Sequence, residues 1–189
     1  VLRFLEENDG VYISDLELLT DVSKAIFKTL EKNGYIEIVE KQIERNPFIN
    51  KKVERDTPKV LNEEQAKCFN GISFCIENNE FCKCLIHGVT GSGKTEIYLQ
   101  LIQKVLEKNK SAIILVPEIS LTPQMVDRFL ARFGDVIAVL HSKLSIGERY
   151  DEWKKIKSGK AKIVIGARSA IFAPTENLGI IIIDEEHDT

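Results

Sequence analysis

The sequence predicts an α/β chain: a parallel sheet with helices on both faces, preceded by a small, mostly helical domain. Three observations carry this. From about residue 59 onward, short apolar runs alternate with segments of helical period. Runs such as "SAIILVP" and "LGIIIIDE" are apolar throughout, as strands of a sheet covered on both sides are. The first 45 residues instead string together short helical segments, and residues 46–58 separate the two regions with prolines, mixed charge and no period.

Bulk properties set the frame. The 189 residues, 43% hydrophobic and 29% charged, suffice for one ordinary domain plus a small one. The formal net charge is −3, so any affinity for nucleic acid rests on local patches. No signal peptide is present and no apolar run is long enough to span a bilayer. A cytoplasmic protein without membrane contact is expected. The chain starts at Val1, which suggests a start that is processed or cut from a longer chain.

The elements follow in order. "VLRFLEENDG" reads as a short helix, and "ISDLELLTD" as a second with Ser14 at its cap. "VSKAIFKTLEKNG" places Val22, Ile26 and Leu30 on one face and ends at Gly34. "YIEIVE" alternates as a half-buried strand does. Three helices and a hairpin strand are the plan of a winged-helix domain, assigned here to residues 1–45, with a linker over 46–58. In the larger domain, residues 59–189, "NEEQAKCFNGISFCIEN" is a helix and "FCKCLIHG" a strand. The helix "KTEIYLQLIQKVLEKN" and strand "SAIILVP" follow. Next comes the helix "LTPQMVDRFLARFG", with Thr122 at the cap, Pro123 in the first turn and Gly134 past the end. "DVIAVLHS", "AKIVIGA" and "LGIIIIDE" are strands, and "IGERYDEWKKIKSG" a helix.

Four cysteines, Cys68, Cys75, Cys82 and Cys84, lack the paired C-x-x-C knuckles of a zinc site. Cys68 and Cys75 fall on one helix face and Cys82 and Cys84 on one strand face. Reduced, buried packing is expected over metal or disulfide.

Two motifs carry chemistry. "GVTGSGKT", Gly88 to Thr95, fits the phosphate-binding pattern G-x-x-x-x-G-K-[ST] between a strand and a helix. Gly88, Thr90, Gly91, Ser92 and Gly93 let backbone N–H groups curl around phosphate, and the helix N-terminus adds positive potential. Lys94 then reaches the outer phosphates, and Thr95 turns its hydroxyl to Mg²⁺. ATP and Mg²⁺ are the expected ligands. The second motif is "IIIIDEEHDT". Asp184, at the carboxyl end of its strand, is placed to act on Mg²⁺ through its waters, and Glu185 to polarise the attacking water. His187 either hydrogen-bonds to whatever packs on this sheet or is an exposed loop histidine.

Five stretches in order, "GVTGSGKTEIYL", "LVPEISLTPQ", "LHSKLSIGER", "IVIGARSAIFAP" and "LGIIIIDEEHD", resemble the PriA family of replication-restart helicases, members of helicase superfamily 2. The winged-helix-like start matches that family's layout, so the resemblance covers nearly the whole chain. RecG-like or transcription-repair translocases are the runner-up. The resemblance implies a RecA-like first motor lobe and an ATP-dependent helicase moving 3′ to 5′ on DNA. It also implies binding of forked and single-stranded DNA, primosome assembly, and primosome and single-strand-binding proteins as partners. By the same resemblance Gln65 reads the adenine edge; its alternative is an ordinary helix-surface glutamine. "PEISLTPQ" and "GARSA" correspond to DNA-tracking motifs, giving Ser120, Thr122, Gln124, Arg168 and Ser169 as phosphate contacts. For Thr122 a helix cap, and for Arg168 a salt bridge, are the alternatives. His187 is then a coupling residue.

Lys24, Lys28 and Lys32 recur at four-residue spacing and offer a phosphate-facing stripe on a recognition helix. Yet residues 1–58 hold nine basic and twelve acidic residues, so a solvated helix face is the other reading. Family members also have a second RecA-like lobe, a DNA-end-binding N-terminal domain and a zinc-binding cysteine cluster, none of which this sequence contains. Zinc is expected only in those parts of a longer parent. The segment is therefore expected to be a fragment, inactive alone.

Overall fold

The structure is a computed structural model that describes residues 1–7, 11, 13–20, 22–39 and 54–185. The chain divides into two units, Val1–Ile43 and Glu44–Thr189. The linker expected at 46–58 is described only from residue 54.

In the first unit, helices α1 (Leu2–Glu7), α2 (Ile13–Thr20) and α3 (Lys24–Lys32) follow one another. Ser14 falls inside the first turn of α2 instead of capping it. Helix α3 starts after Ser23 and closes at Gly34, whose φ of +75° admits glycine readily. The buried face of α3 differs from expectation. Phe27 is 1% exposed, whereas Ile26 is 48% exposed. The largest apolar side chain takes the core, and the face turns by one position. Lys24, Lys28 and Lys32 are exposed, and Lys24 lies 3.9 Å from the Glu17 carboxylate. Residues 35–39 pair in no ladder, so the described part of "YIEIVE" is not a strand. The rest of the expected hairpin lies outside the described residues.

The second unit is a parallel sheet with helices on both faces. Strands β1 (Ser111–Leu115), β2 (Ile137–Leu140), β3 (Ile163–Gly166) and β4 (Leu178–Ile183) take the order β2-β3-β1-β4. All three pairings are parallel. Successive residues of β1 and β3 point to opposite faces, as the period of two requires. Ala112, Ile114, Ile163 and Ile165 pack with Leu99 and Ile102 of helix α5 (Lys94–Glu107) and Val126 and Phe129 of α6 (Pro123–Phe133). Ile113 and Val164 pack with Ile156 of α7 (Ile146–Lys157) on the other face. Two buried faces explain the uninterrupted apolar runs.

Local chemistry sets the helix boundaries. Asn62 and Gln65 form a reciprocal capping box at the start of helix α4 (Glu63–Asn78). Thr122 caps α6, accepting from Met125 N at 3.3 Å, with Pro123 in the first turn and Gly134 as the stop. Ser145 and Glu148 form a second capping box at α7.

Two expectations fail together. Residues 81–88 carry no strand. A strand needs a ladder partner, and β4 does not reach them: a cavity of about 1060 Å³ separates Phe81–Val89 from β4. The cysteines are consequently not core residues. Cys68, Cys82 and Cys84 are exposed and Cys75 is half-buried. The Cys82 and Cys84 sulfurs do share one side, 3.7 Å apart. The neighbouring Cys75, then local burial and Cys84, push the Cys82 thiol up to about 12. Among the described residues, no helix is long and apolar enough to cross a membrane.

Candidate functional site

The glycine-rich loop runs directly into α5, whose first residue is Lys94. Gly91 (φ +80°) and Gly93 (φ +86°) both adopt the left-handed region. A Cβ on Gly93 would also lie 2.3 Å from Gln65 Nε2 and displace that amide. A Cβ on Gly88 lies 2.7 Å from Ser92 Oγ. The Lys94 ammonium donates to Gly88 O at 2.6 Å and Val89 O at 3.3 Å, so it sits over the loop at the helix N-terminus. A cationic tip, two turned glycines and the start of a 14-residue helix form an anion cradle.

Asp184 and Glu185 stand just past the carboxyl end of β4. Asp184 N donates to Leu115 O at 2.9 Å, which continues the β1–β4 ladder and fixes the carboxylate's position. Tyr98 of α5 donates its hydroxyl to Asp184 Oδ1 at 3.3 Å. Burial first, then the Asp184 charge, raises the Tyr98 pKa, so the phenol remains a donor. Glu185 turns into the left-handed region at φ +51°. His187 lies outside the described residues.

One cavity of about 760 Å³ gathers Gln65, the loop residues Thr90–Gly93, Lys94, Thr95, Asp184 and Glu185. That volume suits a nucleotide-sized ligand. The Thr95 hydroxyl and Asp184 carboxylate are oxygen donors on the same cavity, a set that fits Mg²⁺ held partly by phosphate and water. Gln65 also lines this cavity. Its Nε2 donates to Ser92 O at 2.8 Å, and its Oε1 accepts from Asn62 N at 3.0 Å. Its amide thus joins α4 to the loop, and retains one N–H and one lone pair.

A polar cluster beside this cavity has no counterpart among the residues expected from the sequence. Arg132 of α6, only 3% exposed, donates to Asp56 Oδ2 at 2.7 Å and Glu96 Oε2 at 3.1 Å. It also donates to Thr57 O at 3.1 Å. Glu96 follows Thr95 in α5, and its Oε1 accepts from Lys59 N at 3.0 Å. Burial pushes the Glu96 carboxyl up, but Arg132, Gln100 and the Lys59 N–H outweigh it and hold it below the usual range. Arg132 lowers the Asp56 pKa likewise. A buried-looking charge cannot be read from a helix that otherwise shows ordinary amphipathic period. Tyr98 was likewise concealed as one more apolar-face residue.

The remaining expected residues gather elsewhere. Ser120 lies in a 3₁₀ turn after β1, and Thr122 and Gln124 begin α6. Arg168 and Ser169 open a 3₁₀ turn after β3. Because β1 and β3 are neighbours, both turns emerge at the carboxyl end of the sheet, the end that also carries Asp184. Thr122, Gln124, Arg168 and Ser169 are exposed and Ser120 is half-buried. Lys24 and Lys28 lie in the first unit.

A phosphate loop opening a helix and an acidic pair ending a parallel strand define an α/β phosphate-binding lobe. The DEAD/DEAH box helicase model matches residues 62–189, and the chain belongs to that family. Over its full length it is 53% identical to the replication restart protein PriA of Bacillus subtilis, covering 24% of that protein. It is 44% identical to PriA of Haemophilus influenzae over 94% of the chain and 25% of that protein, and 43% identical to the Synechocystis protein over 97% and 22%. The chain thus spans about a quarter of the length of these relatives. The UvsW helicase of bacteriophage T4 has a similar fold, with a TM-score of 0.50 at 19% identity, covering 87% of this chain and 61% of that one. The fold of the second unit is a RecA-like helicase lobe.

Proposed function

We propose that this chain is part of an ATP-dependent replication-restart DNA helicase and supplies half of its motor. The observation that carries the reading is one cavity shared by the phosphate loop and the Asp184–Glu185 pair, in a chain 53% identical to PriA along its length. Backbone N–H groups of Thr90–Gly93 and the Lys94 ammonium bind the β- and γ-phosphates of ATP. Thr95, and Asp184 through water, would hold Mg²⁺, which would supply positive charge beside the phosphates. Glu185 accepts a hydrogen bond from the attacking water and orients it. Gln65 offers its spare donor and acceptor to adenine.

Movement 3′ to 5′ along single-stranded DNA requires groups that hold phosphates without reading bases. Ser120, Thr122, Gln124, Arg168 and Ser169 have that chemistry, at the same end of the sheet as the carboxylates. His187 couples the two sites. The first unit, a winged-helix domain, adds Lys24 and Lys28 as phosphate contacts. The full-length protein recognises stalled forks and works with primosome and single-strand-binding proteins. The 189-residue chain alone binds ATP weakly and shows almost no DNA-stimulated hydrolysis, because a second lobe completes the site.

Lys94→Ala in the full-length protein tests the assignment. ATP turnover is expected to vanish while forked DNA binds with unchanged affinity, read by fluorescence anisotropy. Unwinding at the unsubstituted rate would defeat it.

A further inference from the structure

We propose that Arg132 is a positioning residue for the nucleotide site: from α6 it clamps residues 56–59 against α5 and thereby fixes the base end of the cavity. The proposal rests on the nucleotide reading of the phosphate loop. Its basis is the set of acceptors that Arg132 engages. They come from two separate pieces of chain, both flanking the cavity. Nε and Nη2 meet Asp56 Oδ2 at 3.2 and 2.7 Å, and Nη2 meets Thr57 O at 3.1 Å. Nη1 and Nη2 meet Glu96 Oε1 at 3.2 and 3.3 Å, and Nη2 meets Oε2 at 3.1 Å. The Asp56 amide adds a bond to Ala131 O at 3.0 Å.

The path then reaches the cavity. The Lys59 peptide is held on both sides by α5: its N–H donates to Glu96 Oε1 at 3.0 Å, and its carbonyl accepts from Gln100 Nε2 at 2.8 Å. Asp56, Lys59 and Val60 line the same cavity as Gln65. The Val60 side chain is 99% exposed, so no packing of its own fixes it. Two residues later Asn62 begins the capping box that holds Gln65. Residues 60–65 therefore have two anchors: the Gln65–Ser92 bond at one end and the Arg132 cluster at the other. A partly buried ion cluster adds little net stability over an apolar packing of the same volume, because desolvation offsets the attraction. What a planar, multidentate guanidinium supplies is fixed geometry. Here that geometry is delivered to the strip of chain bearing the base-facing residues.

The test compares two ligands on the full-length protein. A fluorescent ATP analogue senses the whole cavity, and inorganic tripolyphosphate, as its competitor, senses the phosphate loop alone. Arg132→Met is expected to weaken the ATP analogue about tenfold and tripolyphosphate by less than about twofold. Arg132→Lys and Asp56→Asn are expected to fall between, since lysine cannot form the fork. Hydrogen exchange at the Asp56 and Lys59 amides is expected to accelerate in the same variants. If Arg132→Met fails to fold, Arg132→Lys and Asp56→Asn test the same preference with smaller, but still unequal, losses for the two ligands. Equal losses for both ligands, or an unchanged ratio with only a lower melting temperature, overturn the positioning role. Failure of the unsubstituted protein to bind either ligand instead removes the nucleotide reading itself.

Discussion

At Gly93 the backbone turns to φ +86°, and an added Cβ lies 2.3 Å from the Gln65 amide nitrogen. The glycine therefore serves the loop's turn and also lets α4 approach it. Tyr98 acts at similar range on the other side. Its hydroxyl donates to Asp184 Oδ1 at 3.3 Å, a long bond that orients the carboxylate assigned to Mg²⁺. Tyr98→Phe in the full-length protein is expected to raise the Mg²⁺ concentration for half-maximal ATP turnover about threefold. Titration of turnover with Mg²⁺ checks it. The Arg132 partners predict a pH effect. Arg132 holds the Asp56 carboxyl below its usual range; Glu96 also lies low, because its hydrogen bonds outweigh burial. Carboxylates depressed by folding contribute stability that is complete above their unfolded pKa, about 4, and is lost as pH falls through their folded values. Urea melts at about pH 7, 5 and 3.5 should show the acid loss of stability, and a shallower loss in Arg132→Met.

At the scale of elements, the two sheet edges differ. On β2 the outer groups are occupied by α7: Val139 N donates to Glu152 Oε2 at 2.9 Å, and Ile137 O accepts from Lys155 Nζ at 2.6 Å. Glu152 is 5% exposed, which is tolerable only because of such bonding. Glu152→Ala leaves a buried N–H without its acceptor and is expected to cost about 1–3 kcal/mol, measurable by denaturant unfolding. On β4 no described strand covers the outer edge, and Ile181 and Ile183 are 43% and 59% exposed. This contrast explains what could be read in advance. Helix α6 was legible to its ends because Thr122, Pro123 and Gly134 act on their own neighbours. Strands β1 to β3 were legible as runs buried on both faces; β4 shows the same apolar run, yet Leu178, Ile181 and Ile183 are exposed. The strand expected at residues 81–88 was not real, because its apolar character says nothing about a partner across the cavity. Cys82 and Cys84 lie exposed for the same reason. Arg132 and Asp56 stand 76 positions apart, and no local pattern joins them.

At the scale of the whole molecule, the turns after β1 and β3 and the acidic end of β4 emerge at one end of a parallel sheet, where α/β proteins place their ligands. The phosphate loop and acidic pair were legible in sequence because each is a short contiguous motif. Their meeting in one cavity required the fold. The chain spans about a quarter of the length of these relatives. In the proposed mechanism Glu185 orders the attacking water of a DNA-stimulated ATPase. Steady-state ATP hydrolysis by the full-length protein, with and without single-stranded DNA, tests it most directly. DNA-stimulated turnover is expected, lowered by about a thousandfold or more in Glu185→Gln while ATP binding persists. Turnover in Glu185→Gln within about tenfold of the unsubstituted protein contradicts it.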